Sequence, residues 1–241
     1  MVKNFLLENT KEIICIIPAR FGSKGIKNKN IIKINGKRLI NYTIDTAIKL
    51  NEYCDIIIST DSKKILSVCN NKKFLIFNGL RPKKLSNSKA LTKDVVKYEL
   101  LKAEKNFKKK YKYILLLQPT CPFRDYKKIL KAFKLIKDNK KIDSVLSVSD
   151  VGANHPFRMK IYNKGYLKNF MNFKNENMKP RQSLPKVYIR SGSIYLIRRD
   201  TFLKYNSLVG KKTYGIELLD KESINIDTKQ DLDFLKYKLK C

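Results

Sequence analysis

The run Ile13-Ile14-Cys15-Ile16-Ile17 constrains the fold more than any other part of this sequence. It is apolar without alternation and rich in β-branched residues. Both of its faces must therefore be covered, as in an inner strand of a sheet flanked by helices. Further short apolar runs at 55–59, 74–77, 113–117 and 144–148 predict more strands. Between them the apolar residues fall into helical spacing. Leu39, Ile40, Thr43, Ile44, Ala47 and Ile48 share one face and predict a helix over about 39–50. Similar patterns predict helices near 63–69, over 92–105 and over 126–137. Strands alternating with helices predict an α/β fold in a single domain spanning 1–241.

After Asp150 the texture changes. Residues 152–190 are polar, carry Gly, Pro and Asn, and contain only short β-like pieces, so they read as an inserted arm. Strand-like patterns return at 193–197 and 223–226. Thr228-Lys229-Gln230-Asp231 has the spacing of a capping box and predicts the start of a closing helix.

The formal net charge of +32 invites a nucleic-acid reading, but its make-up argues against one. Lysine supplies 44 of the 53 basic residues and arginine only 9, while asparagine occurs 21 times. Joint Lys and Asn enrichment is what an A/T-rich genome produces. Selection for gripping phosphate keeps the planar, two-pronged donors of arginine instead. No specific nucleic-acid partner is expected, only general attraction to polyanions at low salt. No stretch approaches the ~20 apolar residues of a membrane helix. The first twelve residues contain acids and no apolar signal core. Cys15, Cys54, Cys69, Cys121 and Cys241 show neither metal spacing nor a disulfide framework. Together these features predict reduced thiols in a cytoplasmic protein without a membrane span.

The segment Pro18-Ala19-Arg20-Phe21-Gly22-Ser23-Lys24-Gly25, running on to Lys29-Asn30, follows the buried strand directly. That places it at the carboxyl edge, where open α/β sheets bind ligands. Gly22 and Gly25 permit close backbone approach to a phosphate, and Ser23 adds a hydroxyl donor. Arg20 and Lys24 add positive charge suited to a triphosphate or its pyrophosphate leaving group. The segment is neither a G-x-G-x-x-G nor a Walker A motif. On its residues alone, a plain strand-to-helix connection with compositional lysines stays open.

Pro-Ala-Arg-x-Gly-Ser-Lys-Gly, with Lys29-Asn30 and then Asn35-Gly36-Lys37, resembles the signature of the acylneuraminate cytidylyltransferases, the CMP-sialic acid synthetase family. Further matches follow in the family's order. They are Ser59-Thr60-Asp61, then Arg81-Pro82 with Leu85 and Thr92, then Leu117-Gln118-Pro119-Thr120-Cys121-Pro122-Phe123-Arg124. His155-Pro156-Phe157, Arg181-Gln182 with Leu184-Pro185, and Ile226-Asp227-Thr228 complete the series. The resemblance implies a three-layer αβα nucleotide-binding sheet, Rossmann-like and of the nucleotide-diphospho-sugar transferase type. It implies that 152–190 is an arm for dimerisation and sugar-acid binding.

The implied reaction transfers CMP from CTP to the anomeric hydroxyl of a nine-carbon 2-keto sugar acid, with Mg²⁺ as cofactor and a homodimer as the working form. By the same resemblance Arg20, Lys24 and Asn30 hold the nucleotide, joined by Gly22 and Ser23 on the chemistry given above, and Arg81 and Thr92 lie near its base and ribose. Gln118 would contact the sugar acid, and Arg158 and Arg181 would meet its carboxylate. Arg20, Lys24 and Asp227 are the expected catalytic groups. The Gly-Ser-Lys-Gly form favours sialic- or legionaminic-type acids. Ser191-Gly192-Ser193, where the family commonly has Asn-Gly-Ala or Asn-Gly-Ser, keeps that choice open.

One departure concerns the metal. The family pattern Asp-Ile-Asp-Thr reads Asn225-Ile226-Asp227-Thr228 here. On a strand, 225 and 227 share a face, but an amide offers only a neutral carbonyl oxygen. Asp227 is expected to ligate Mg²⁺ directly, with Asn225 contributing weakly or through water; the alternative is that Asp227 helps cap the final helix. His155 is the one histidine, which excludes histidine triads, and it reads as structural. Cys121 stands where the family usually has Ser and reads as a packing thiol. Two rival functions are a sugar-1-phosphate nucleotidyltransferase of similar fold, disfavoured by the Arg181-Gln182-x-Leu-Pro segment, and a basic nucleic-acid-binding protein, motivated by charge alone.

Overall fold

A computed structural model of the chain describes residues 11–23, 25–172, 178–219 and 221–238. In chain order the elements begin β1 (Ile13–Pro18), β2 (Lys33–Ile34), β3 (Lys37–Arg38), α1 (Leu39–Ile48), β4 (Cys54–Ser59) and α2 (Lys63–Val68). Next come β5 (Leu75–Ile76), α3 (Thr92–Phe107), β6 (Tyr113–Leu116), α4 (Tyr126–Asp138) and β7 (Ser144–Asp150). The chain continues with β8 (Lys160–Asn163), β9 (Tyr166–Asn169), β10 (Tyr188–Arg198), α5 (Arg199–Tyr205), β11 (Thr213–Glu217) and α6 (Lys229–Lys238).

Seven strands form one sheet in the order β11-β7-β10-β6-β1-β4-β5. The apolar run at 13–17 is the inner strand β1, hydrogen-bonded in parallel to β4 on one side and β6 on the other. Its period of two divides the core. Ile13, Cys15 and Ile17 pack with Ile40 and Ile44 of α1 and with Ile129 and Phe133 of α4. Ile14 and Ile16 face the other way, onto Val96 and Leu100 of α3 and Phe202 of α5. The result is the three-layer α/β arrangement expected from the alternating pattern.

Several elements differ from the sequence reading. β10 runs antiparallel between β6 and β7, so the sheet is mixed. Its pairing register shifts between Arg190 and Tyr195, where Gly192 has φ +77°. β11 and α5 went unrecognised because each is short and polar, and β11 is an edge strand carrying Gly215 and exposed side chains. The strand expected at 74–77 shrinks to Leu75–Ile76, because Phe74 closes a 3₁₀ turn. The strand expected at 223–226 does not form. Ile226 N–H instead donates to Thr120 C=O at 2.8 Å, and Ile224 and Ile226 join a small apolar cluster with Ile34, Leu39 and Leu235. The alternation that suggested a strand serves that cluster.

The excursion at 152–190 is pinched at its base, where Val151 N–H donates to Val187 C=O at 3.1 Å. Within it β8 and β9 form a hairpin that pairs with no strand of the main sheet. Residues 188–190 belong to β10 and pair with β7, so the excursion ends three residues earlier than the sequence suggested. The Thr228 capping box is present: Asp231 Oδ2 accepts from Thr228 N–H at 2.7 Å, and Asp231 N–H donates to Thr228 Oγ1 at 3.2 Å.

Candidate active site

Strand order locates the site. From β1 the chain proceeds outward to β4 and β5, then returns to place β6 on the opposite side of β1. Such a reversal opens a crevice at the carboxyl ends of the two central strands, where the following loops must part. A cavity of about 400 Å³ lies there. Its wall includes Pro18 and Arg20 after β1, Gln118 and Thr120 after β6, and Thr92 at the start of α3.

The first loop is built by specific contacts. Gly22 holds φ +63°, a conformation L side chains rarely adopt, and Arg20 Nη1 donates to its carbonyl at 2.8 Å. Phe21 N–H donates to Asp61 Oδ1 at 2.8 Å, tying this loop to the end of β4. Asn30 is buried, and its amide donates to Arg20 C=O at 2.9 Å. Asn30 therefore braces the loop as well as lining the cavity. Gly25 was expected to let the backbone approach a phosphate. It lines the cavity and carries a further constraint: a Cβ there would stand 2.4 Å from Asp227 C=O. Gly25 lets the first loop close onto the segment 225–228. Lys24 lies outside the described residues.

Two buried polar groups line or support the far wall. Arg81 reaches the cavity from a buried position, held by Arg81 N–H to Thr60 C=O at 2.8 Å and Nε to Ser86 Oγ at 3.2 Å. Burial lowers the pKa of its guanidinium, and the charges of Asp61 and Glu99 oppose that shift. Glu99 is buried on α3, where it accepts from Ser59 Oγ at 2.7 Å and Asn78 Nδ2 at 3.4 Å. Burial pushes its carboxyl pKa up, while these donors and the nearby Lys102 and Arg81 pull it down. Sequence reading missed Glu99, although its spacing from Val95, Val96 and Ala103 places it on the inward stripe of α3.

The floor is fixed by Arg124. Its guanidinium donates to Ser193 C=O and Thr43 Oγ1, each at 2.8 Å, and to Gln118 C=O. Burial lowers its pKa to about 10, against the opposing influence of Cys121 and Cys15. Arg124 thus holds the cavity together from behind. Gly192 sits so close to Gln118 that a Cβ would stand 2.9 Å from Gln118 Oε1. The β10 irregularity consequently abuts the side chain expected to meet the sugar acid.

At the opening, Asp227 Oδ1 accepts from Lys29 Nζ at 2.7 Å, and Asp227 Oδ2 accepts from Asn225 Nδ2 at 2.5 Å. Among the described residues no three His, Cys, Asp or Glu side chains converge on one point. Magnesium is usually bound by one or two carboxylates plus substrate phosphates and water. One carboxylate beside the basic loop suits an ion shared with a triphosphate, not a cage made by protein alone.

The single chain thus gathers Arg20, Ser23, Asn30, Arg81, Thr92, Gln118, Asn225 and Asp227 around one cavity, with Gly22 shaping its rim. It does not bring Arg158 and Arg181 there. Both are exposed on the excursion, with Arg158 Nη2 donating to Lys179 C=O at 3.3 Å. His155 is buried and structural, its Nδ1 accepting from Phe157 N–H and its Nε2 lying 3.0 Å from Pro185 C=O. Cys15, Cys54, Cys69 and Cys121 are free, buried thiols. No helix among the described residues is long and apolar enough to cross a membrane.

The two loop glycines make opposite demands, which substitution separates. Gly25→Ala is expected to push the loop from Asp227 and cut turnover by about 10²-fold. Gly22→Ala meets no atom within 4 Å and costs mainly left-handed strain, about 1–2 kcal/mol. Steady-state kinetics with melting curves check this; equal losses of turnover in both variants would contradict it.

A sequence model of the cytidylyltransferase family matches residues 14–237. The chain is 34% identical over 223 residues to post-translational flagellin modification protein B of Campylobacter coli, covering 92% of each. It is 35% identical over 225 residues to CMP-N,N'-diacetyllegionaminic acid synthase of Campylobacter jejuni, again covering 92% of each. It is also 31% identical over 220 residues to an N-acylneuraminate cytidylyltransferase of Streptococcus agalactiae, covering 90% of this chain and 51% of that one. This chain therefore spans about half the length of that relative. A solved CMP:2-keto-3-deoxy-manno-octonic acid synthetase in complex with CTP shares the fold, with TM-score 0.64 and 16% identity over 95% of this chain and 98% of that one. With the motifs of the sequence gathered in one cavity and the family matched across nearly the whole chain, this protein belongs to the cytidylyltransferase family.

Proposed function

We propose that the protein transfers CMP from CTP to the anomeric hydroxyl of a nonulosonic acid of N-acetylneuraminic or legionaminic type, releasing pyrophosphate. The observation that carries this reading is the convergence of Arg20, Arg81, Gln118 and Asp227, from four distant segments, on one cavity at the sheet's switch point. The names of the Campylobacter jejuni and Streptococcus relatives, a CMP-N,N'-diacetyllegionaminic acid synthase and an N-acylneuraminate cytidylyltransferase, support the choice of a nonulosonic acid. A sugar-1-phosphate transfer and a nucleic-acid-binding role find no comparable support.

In this reading the anomeric hydroxyl attacks the α-phosphorus in line, forming the P–O bond to the sugar as the P–O bond to pyrophosphate breaks and the hydroxyl proton is released to water. Proximity within the cavity supplies much of the rate, because no covalent intermediate is required. Arg20 and Lys24 neutralise the leaving pyrophosphate, and Ser23 and the loop N–H groups orient the phosphates. Arg81 and Thr92 position the nucleoside, while Gln118 receives the sugar acid. Asp227 would hold Mg²⁺ together with the triphosphate, and the ion would add charge neutralisation there.

The excursion suits a homodimer. Tyr162, Tyr166, Leu167 and Phe170 are each more than half exposed on or beside its hairpin, an apolar patch that a second copy would cover. Arg158 and Arg181 lie on the same excursion, outside their own chain's cavity, so they would meet the substrate carboxylate across the dimer. Buried free thiols fit a cytoplasmic location.

Pyrophosphate release with Mg²⁺ across four nucleoside triphosphates and a panel of nonulosonic acids tests the reaction. Release is expected with CTP and at least one such acid, and none with any pairing would overturn the reading. Arg20→Ala is expected to lower kcat by about 10²–10³-fold. Light scattering tests the assembly: the wild type should be a dimer and Leu167→Asp should shift it toward monomer. A monomeric wild type at micromolar concentration would refute the dimer.

A further inference from the structure

We infer that Asn225 is a positioning residue for Asp227 and not a metal ligand, so that the divalent ion reaches the site only in company with the nucleoside triphosphate. This inference rests on the proposed CMP transfer and concerns how this chain handles its metal.

The amide's orientation is dictated by its neighbours. A carboxylate only accepts hydrogen bonds, so Asn225 must present Nδ2 to Asp227 Oδ2, at 2.5 Å. Its one ligating atom, Oδ1, is then directed to the buried thiol of Cys121, 3.6 Å away. Reversing the amide would set oxygen against carboxylate oxygen and leave the thiol facing a donor. Cys121 Sγ also lies 3.4 Å from Ser191 C=O. The departures from the resembled family pattern at 121 and 225 therefore touch each other in this chain, and Cys121 also meets the backbone at 191.

The segment that carries the pair is pinned. Ile226 N–H donates to Thr120 C=O at 2.8 Å, and Asp227 N–H donates to Asp231 Oδ2 at 2.9 Å. Gly25 packs on the Asp227 carbonyl. Asp227 has therefore little freedom except side-chain rotation, and that is opposed from two sides by Asn225 on Oδ2 and Lys29 on Oδ1.

Charge gives the consequence. Lys29 and Asp227 sum to zero, so the nucleotide-free site offers a divalent cation no net negative charge. Two carboxylates at 225 and 227 would repel one another at this separation and would call for a cation between them. The Asn225 amide fills that place with a donor of its own. Only the triphosphate supplies the remaining negative oxygens that Mg²⁺ requires. Its arrival also gives Lys29 a competing anion, which frees Asp227 Oδ1.

Mn²⁺ binding followed by electron paramagnetic resonance, with and without the unreactive α,β-methylene analogue of CTP, separates the possibilities. Wild-type protein alone should bind Mn²⁺ no tighter than ~1 mM, and with the analogue much more tightly. Asn225→Asp should gain a nucleotide-independent site about tenfold or more tighter than wild type. Asn225→Ala should keep the Mn²⁺ affinity of the analogue complex within about threefold while kcat falls about tenfold and KM for CTP stays unchanged. Loss of tenfold or more in Mn²⁺ affinity for the Asn225→Ala analogue complex would show a ligand and overturn the inference. So would tight Mn²⁺ binding by the wild type without nucleotide. Failure of every variant to bind the analogue would sink the functional reading and this inference with it, whereas an altered metal affinity with normal analogue binding sinks the inference alone.

Discussion

The site depends on the hydrogen bonds of one guanidinium, that of Arg124. Arg124 sits behind the cavity without an ion-pair partner among the described residues, and its guanidinium is held by the carbonyls of Gln118 and Ser193 and the hydroxyl of Thr43. These acceptors belong to the loop after β6, the irregular stretch of β10 and helix α1. Removing the guanidinium would take away the hydrogen bonds that tie these three segments together, a loss a protein interior tolerates poorly. Lysine could not replace it, since one ammonium cannot span three divergent acceptors in a plane. Arg124 is thus an organiser of the site and not a phosphate contact.

Around that anchor the sheet does the sorting. β1 leads into the glycine-containing loop, β6 leads into the loop with Gln118, and the reversal of strand order parts them by a cavity's width. Asp61 and Glu99 stand behind the cavity wall, the first holding the Phe21 backbone and the second lying near Arg81. Lys29 and Asn225 meet Asp227 from opposite sides at the opening. The chemistry proposed for the site needs few reactive groups. It needs charges held at fixed separations, and the hydrogen bonds are arranged for that.

Much of this was legible in the sequence. The unbroken apolar run at 13–17 required a doubly covered strand, and the loop after it had to emerge at the sheet's ligand-binding edge. What stayed hidden shares one physical cause: the decisive partner is remote in sequence. The alternation at 224 and 226 looks like a strand, but its apolar side chains bury against α1 and α6. Gly25 looks like a phosphate-approach glycine, and its second demand, the Asp227 carbonyl packed against it, comes from a segment some two hundred residues away. Arg124 belongs to a recognisable motif, yet nothing in that motif reveals three acceptors from other elements. Glu99 could have been found, because the stripe of α3 turns it inward.

The central claim is that this cavity joins the anomeric oxygen of a sugar acid to the α-phosphorus of CTP. The most direct measurement starts from a nonulosonic acid labelled with ¹⁸O at its anomeric hydroxyl, with the CMP-sugar analysed by mass spectrometry. Attack by that oxygen predicts that the label is retained in the bridge between sugar and phosphorus. Product that has lost the label, or the absence of any CMP-sugar, would contradict the account.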